Sequence, residues 1–498
     1  MKYKLLLLSL LIPHLIQGQI LDPRLQGIDA EIDSLMRTYK TPGIAIQIIE
    51  NQEVLFSQGF GYRNYTEKLP VTEHTLFPIG SVTKPLTASL MGVYQGKGKL
   101  KVKDSPRQHI EYLNFYSDEM NRLINIEDLL SHRSGIGVVD GTHVFFPTNN
   151  LKQHLQRLEY LQPSSQVRER FDYSNMGYAI LAGIVEEISD KSWQENMDQE
   201  IFQPLEMKRS NSSLSALQAN ENYSLGYSIS NDSIIEVAYE DQHESYASGA
   251  INSSVHDLGK WVKMLLNKGI YQGKQIVPSS FLEASFSEHN LIRGSFSFDR
   301  KYDLLFDTYG YGWFVHQYKD LYRINHGGNV SGFTAEVNLY PHKNIGIIIL
   351  ANQGSSNLLL RSIQDIIVNR LLERERKSWK DYEIQIGEAR PLNPEIKAIS
   401  TEKKPSHALQ DYCGKYQSKA YGTAEVYLDK EQLMIRFPAF SMALEHLHYD
   451  TFINKVVSHI HQNAPSFYID FLTDHEGNIS TLRIAFSQNP EHFAKLND

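Results

Sequence analysis

Phe77-Pro78-Ile79-Gly80-Ser81-Val82-Thr83-Lys84 is the stretch on which this 498-residue chain turns. A serine and a lysine three residues apart lie one above the other if a helix begins there. The hydroxyl then sits beside an amine at a helix N-terminus, where backbone N–H groups favour negative charge. A lysine that takes the serine proton makes the serine a nucleophile. Pro85 follows at once. At the fifth position of a helix begun at Ser81 it would lose a hydrogen bond and crowd the Ser81 carbonyl. The turn bearing Ser81 is therefore expected to be irregular, or the regular helix to start later.

An S-x-x-K pair alone is weak, since the chain holds a second at Ser400 and Lys403. Likewise Y-x-N occurs at Tyr62–Asn64 and Tyr173–Asn175, and H-x-G at His326–Gly328 and His475–Gly477. One set alone has a consistent order and context: a nucleophile at a helix start, Tyr173 and Asn175 ahead of a helix, and His326 with two glycines closing a strand. The conjunction is what is specific.

Outward from that stretch, periodicity gives the frame. Ile28 to Tyr39 has helical spacing, and Ile44 to Ile49 with Val54 to Gly61 reads as a hairpin leading into Phe77. Asn125 to Leu130 is a short helix before the loop Ser131 to Ile136, and Gly137 to Thr148 is an irregular loop with Phe145 and Phe146. Tyr178 to Ile188 is a strong helix, and Ser253 or Ser254 caps the next, with Asp257 at capping-box spacing. Strands follow at Tyr311–Val315, Tyr322–His326, Phe333–Tyr340 and Ile345–Ala351, then a helix from Asn357 to about Arg376. The expected fold class is α/β: one antiparallel sheet built from both ends of residues 19–386, flanked by helices, with a helical insertion between. Residues 387–406, rich in proline and charge, read as a linker. Residues 407–498 alternate with period two, as in a small antiparallel barrel.

The ends and composition bound the class. Lys2 and Lys4, the apolar run Leu5 to Leu15 and Gly18 read as a signal peptide over residues 1–18, too short to span a bilayer. Secreted or periplasmic export with no stable membrane anchor follows from it. A net charge of −9 is a poor footprint for nucleic acid. Cys413 is the single cysteine, so an exported chain has no internal disulfide to rely on.

These motifs give the chain a resemblance to the serine β-lactamase-related hydrolases: class C β-lactamases, DD-peptidases, D-aminopeptidases and related esterases. It covers roughly residues 25 to 375 and rests on Phe77–Lys84, Leu129–Ile136, Phe171–Gly177, Ile201–Met207, Ser248–Leu258 and His326–Gly328. The resemblance implies that Ser81 accepts the acyl group, that Lys84 and Tyr173 share the proton transfers, and that Asn175 positions substrate. It places the oxyanion hole at the backbone N–H groups of Ser81 and Asn329, with His326 and Gly328 lining the substrate site. Many β-lactamases carry lysine where His326 stands. A histidine, only partly charged near neutral pH, is expected to anchor a substrate carboxylate less firmly. Tyr412–Tyr416, Tyr421-Gly422 and Leu444–Asp450 resemble the lipocalin-like barrel appended to some family peptidases.

The expected activity is cleavage of amide bonds in small peptides, D-amino-acid-containing ones among them, through an acyl-enzyme and without a cofactor. A carboxylesterase or weak β-lactamase is the alternative enzyme, and a silent peptidoglycan-binding or scaffolding protein the alternative of another class. The barrel is expected to restrict access to the cleft or to mediate homo-oligomerisation. His446, His448, His459 and His461 are expected to fill the barrel rather than to bind metal.

Overall fold

The computed structural model describes residues 22–137, 145–230, 232–239, 246–293, 304–318, 320–374, 403–455, 467–486 and 490–496. The segment read as a signal peptide, most of residues 387–406, and His459 and His461 lie outside the described residues.

The frame is a nine-stranded antiparallel sheet made from both ends of the first domain. Gly43–Glu50 pairs with Glu53–Asn64 on one side and with Ile345–Ala351 on the other. Phe333–Tyr340, Leu321–Val330 and Phe314–Tyr318 continue the sheet. Leu304–Tyr309 and Asn290–Arg293 extend it to an edge that the sequence pattern did not signal. The central strands are buried along nearly their whole length. Helices Ile28–Tyr39 and Asn357–Leu371 cover one face, and Val255–Leu266 packs on the other. With both faces covered, the strands read as apolar runs rather than alternations.

The two segments that carry chemistry start their helices differently from the plain expectation. Gly80–Val82 forms a 3-10 turn and the α-helix runs Thr83–Gly96, so Pro85 is only its third residue. In the first turn its missing N–H costs no intrahelical bond, and the helix tolerates the ring. The second helix runs Asn175–Ser189, three residues earlier than Tyr178, because Ser174 Oγ accepts the Gly177 N–H at 3.2 Å. Tyr173 is left just outside the helix and Asn175 in its first turn.

Eight strands, from Gly414–Ser418 to Glu491–Lys495, form a closed antiparallel barrel. Phe145 and Phe146, ahead of the helix Leu151–Gln156 of the first domain, are buried in its aromatic end. The Phe145 ring lies 5.0 to 5.4 Å from those of Phe437, Phe440, Phe467 and Phe486. Phe146 contacts Tyr421, Phe437, Phe486 and Phe493, and the Phe145 carbonyl accepts the Ala439 N–H at 3.3 Å. A cation–π contact between Lys419 and Tyr160 adds a second link. Truncating a buried phenylalanine costs about 3–5 kcal/mol. The double variant Phe145→Ala/Phe146→Ala is expected to uncouple the barrel, giving two calorimetric unfolding transitions where the wild type gives one. A single transition with unchanged midpoint would show that the pair does not hold the domains together.

Candidate active site

Lys84 is fully buried, and its Nζ lies 3.1 Å from Ser81 Oγ, 2.8 Å from Asn175 Oδ1 and 3.1 Å from the Ser248 carbonyl oxygen. Asn175 Oδ1 and the carbonyl can only accept, whereas the serine hydroxyl has a hydrogen to give. A neutral amine has two N–H bonds and one lone pair. As an ammonium Lys84 donates to all three oxygens; in the neutral form that would act as base, the two acceptors can hold its N–H bonds and the lone pair can face Ser81 Oγ. The Tyr173 ring centre is 4.6 Å from the same nitrogen, and that of Tyr178 is 5.5 Å away.

The strand Leu321–Val330 closes the other side of Ser81 by direct backbone approach. A Cβ on Gly328 would lie 1.9 Å from the Ile79 carbonyl oxygen and 2.9 Å from Ser81 N, and one on Gly80 would lie 2.9 Å from Asn329 N. Glycine at both positions lets the two backbones meet, and Gly80, with φ of +51°, needs it on conformational grounds as well. The nucleophile turn and the Asn329 amide therefore face one another. Donors held in such a cleft can stabilise charge developing on a carbonyl oxygen. Asn329 is exposed, and its side chain exchanges hydrogen bonds with that of Asn357 at 3.1 and 3.2 Å.

Residues 28–367 match the profile described as beta-lactamase. The chain belongs to the β-lactamase family. Residues 399–495 match a second profile, a domain of unknown function designated DUF3471. Among curated relatives of this β-lactamase-family chain, Protein flp of Staphylococcus aureus strain MW2 is 25% identical over 350 residues, 69% of this chain. That match spans 66% of the staphylococcal protein, a little under two thirds of its length. Unguisins hydrolase ungD of Aspergillus violaceofuscus is 25% identical over 443 residues, covering 80% of this chain and 76% of the relative. Among solved structures, an octameric penicillin-binding protein homologue from Pyrococcus abyssi superposes with a TM-score of 0.62 at 22% identity. It covers 94% of this chain and 99% of its own. SurE superposes with a TM-score of 0.57 at 18% identity, covering 95% and 99%.

Within this β-lactamase-family site, His326 differs from its expected state. Its ring is buried, with Nδ1 2.7 Å from the Gly327 carbonyl oxygen and Nε2 2.9 Å from the Tyr309 hydroxyl. The carbonyl requires a hydrogen on Nδ1, so Nε2 accepts from Tyr309. Burial, with Lys84 nearby, lowers its pKa to about 3. The partial charge expected from an ordinary histidine is absent at neutral pH, and so is the charge-based anchoring built on it. Tyr309, the Ser248 carbonyl and His132 also belong to the site, and neither Tyr309 nor a backbone carbonyl leaves a motif that spacing could have found. His132 stood in the quoted loop Ser131–Ile136 with no role assigned. In the barrel, His446 Nε2 lies 2.9 Å from the Tyr449 carbonyl oxygen, and no three metal-ligating side chains are grouped among the described residues.

The lowered His326 pKa has a definite sign in stability. Between its ordinary value of 6.5 and about 3, the unfolded chain binds a proton that the folded chain refuses. Stability from this group is present above pH 6.5 and is lost as pH falls towards 3, with a slope of at most ~1.4 kcal/mol per pH unit. Urea midpoints at pH 7.5 and 5 are expected to differ more in the wild type than in His326→Gln, whose amide oxygen can still accept from Tyr309. Equal differences would overturn the buried neutral histidine.

Proposed function

We propose that this chain is an exported serine hydrolase that forms an acyl-enzyme on Ser81 and cleaves amide bonds of small peptides, D-amino-acid-containing ones included. The observation that carries the proposal is Lys84, buried with its Nζ 3.1 Å from Ser81 Oγ and its other hydrogen-bonding directions met by Asn175 and the Ser248 carbonyl. In this scheme Ser81 Oγ attacks the substrate carbonyl while its proton passes to Lys84. The N–H groups of Ser81 and Asn329 hold the oxyanion. Lys84 and Tyr173 deliver the proton to the departing amine, and water then releases the acyl group by the same steps in reverse. Asn175 orients Lys84 and the substrate, and His326, Gly328 and Asn329 line the acyl site.

The substrate class draws support from two directions. One relative is named an unguisins hydrolase, and one matching structure is SurE with D-Leu, at 17% identity and a TM-score of 0.55. The cleft itself supports a narrower statement. His326 is uncharged, and the rings of Tyr309 and Phe314 lie 5.9 and 5.3 Å from the imidazole, with Phe171 behind them 5.4 Å from Tyr309. A free carboxylate next to the scissile bond gains no ion pair from such a wall, so blocked or cyclic peptides suit it as well as free acids. Export to the periplasm or beyond rests on the segment Met1 to Gly18, and the octameric homologue supports homo-oligomerisation.

A fluorophosphonate probe is expected to form an adduct on Ser81 that Ser81→Ala abolishes and Lys84→Met slows by about 10²-fold or more. No adduct on folded wild type would leave the silent binding protein as the better account. In a panel of D- and L-aminoacyl amides, DD-peptides and p-nitrophenyl esters, peptides amidated at the C-terminus are expected to match their free acids in kcat/KM. A tenfold preference for the free acids would refute the uncharged acyl site.

A further inference from the structure

The loop Ser131–Ile136 runs behind the tyrosine that the proposed chemistry uses, and His132 is the residue through which it makes contact. Two hydrogen bonds bracket Tyr173. The Asp172 N–H donates to the His132 carbonyl at 2.9 Å, and the Ser174 N–H donates to His132 Nδ1 at 3.1 Å. Between these two bonds the imidazole lies against the phenol, with ring centres 4.3 Å apart and planes inclined by 40°. Position, direction and tilt of Tyr173 are thus all met by one side chain and its own carbonyl.

Holding His132 there is costly, and the cost is informative. Its φ of +55° lies in the left-handed region that a residue with a Cβ adopts at a penalty of about 1 kcal/mol or more. That backbone twist brings the carbonyl and the ring to the same neighbouring segment. The loop is braced to keep it: Asn290 Nδ2 donates to the carbonyls of Ser131 and His132 at 3.0 and 2.9 Å, and Arg133 is tied to the buried Asp128. Because Nδ1 accepts, the hydrogen sits on Nε2, and Nε2 is buried without a hydrogen-bond partner among the described residues. An unsatisfied buried donor costs roughly 1–3 kcal/mol. A leucine would pack the space without an unsatisfied donor, although it would bear the same left-handed strain. What leucine lacks is an acceptor at the Nδ1 position and a flat face for the phenol.

Resting on the serine-hydrolase proposal above, we infer that His132 is a positioning residue that sets Tyr173 for proton transfer, through its Nδ1 acceptor and its ring face. It touches neither substrate nor Ser81 in this role; it acts through Tyr173. The same Ser174 N–H bond fixes the entry to the helix Asn175–Ser189, so Asn175, hydrogen-bonded to Lys84, is set by it too. His132 and His326 carry opposite tautomers on either side of Tyr173, whose ring centre is 6.5 Å from that of His326.

Three variants separate the contributions. His132→Gly keeps the left-handed φ and removes the acceptor. His132→Asn keeps both, since its amide oxygen can reach the Nδ1 position and asparagine tolerates φ above zero. His132→Gln moves the amide beyond that position. With a p-nitrophenyl ester, His132→Gly and His132→Gln are expected to lose about 10²-fold in kcat with little change in KM, as for a misplacement of about 1 Å. His132→Asn is expected to stay within about tenfold of wild type. Wild-type labelling of Ser81 by a fluorophosphonate is the control: its absence defeats the hydrolase proposal, whereas normal labelling with an unaffected His132→Gly defeats the positioning role alone. Equal losses in folded His132→Gly and His132→Asn would also overturn it. Should the glycine and glutamine variants not fold, nitrogen-15 NMR of wild-type histidines decides: His132 is expected as the neutral Nε2–H tautomer at pH 7, and a charged ring or an Nδ1–H tautomer contradicts the clamp.

Discussion

Everything near Ser81 is arranged around the burial of one amine. A lysine nitrogen taken out of water costs several kcal/mol unless its hydrogen-bonding directions are met. Lys84 meets them with partners from separate parts of the chain: Ser81 on its own turn, Asn175 at a helix start, and the carbonyl of Ser248 in the short helix Tyr246–Gly249. The amine fixes the relative placement of these segments as firmly as any apolar contact. It also restricts what else can be charged nearby. His132 and His326 share the pocket, and for both, burial first and Lys84 second push the pKa down. The cleft holds one basic nitrogen and two neutral imidazoles rather than three competing cations.

The other constraint is steric. The strand bearing His326 can reach the Ser81 turn only because Gly328 and Gly80 carry no side chain where the backbones meet. The sheet is therefore more than a platform. One of its strands supplies the second wall of the candidate site, and the approach is set by backbone atoms that cannot repack.

Most of the frame could be read from residues 28–371, because long apolar runs and helical periodicities are signals of the main chain's own geometry. The hairpin at Ile44, the strands at Phe333 and Ile345, and the Ser254 cap on Val255–Leu266 were all legible. Pro85 told that the helix would not start cleanly at Ser81, and Thr83 is where it starts. What stayed hidden depends on partners far apart in sequence. The edge strands Asn290–Arg293 and Leu304–Tyr309 are short, and the second brings Tyr309 to His326. The charge state of His326 followed from complete burial and from Lys84 nearby, neither of which its H-x-G setting encodes. His132 was visible as a letter in a motif, but its left-handed φ and its grip on both sides of Tyr173 exist only once residues 131–137 and 164–174 lie side by side.

The Phe145–Phe146 insertion changes what the C-terminal barrel can be. Small barrels of this shape are natural cups, and an aromatic end such as that formed by Tyr421, Phe437, Phe440, Phe467, Phe486 and Phe493 would suit a greasy cargo. Here the cup is already filled by the chain's own two rings. Among the described residues, that end of the barrel is a socket for the first domain. A socket also ties the histories of its two halves together: a change in either ring pair or rim has to be answered by the other, and the barrel cannot be exchanged for a foreign one as a free-standing module could.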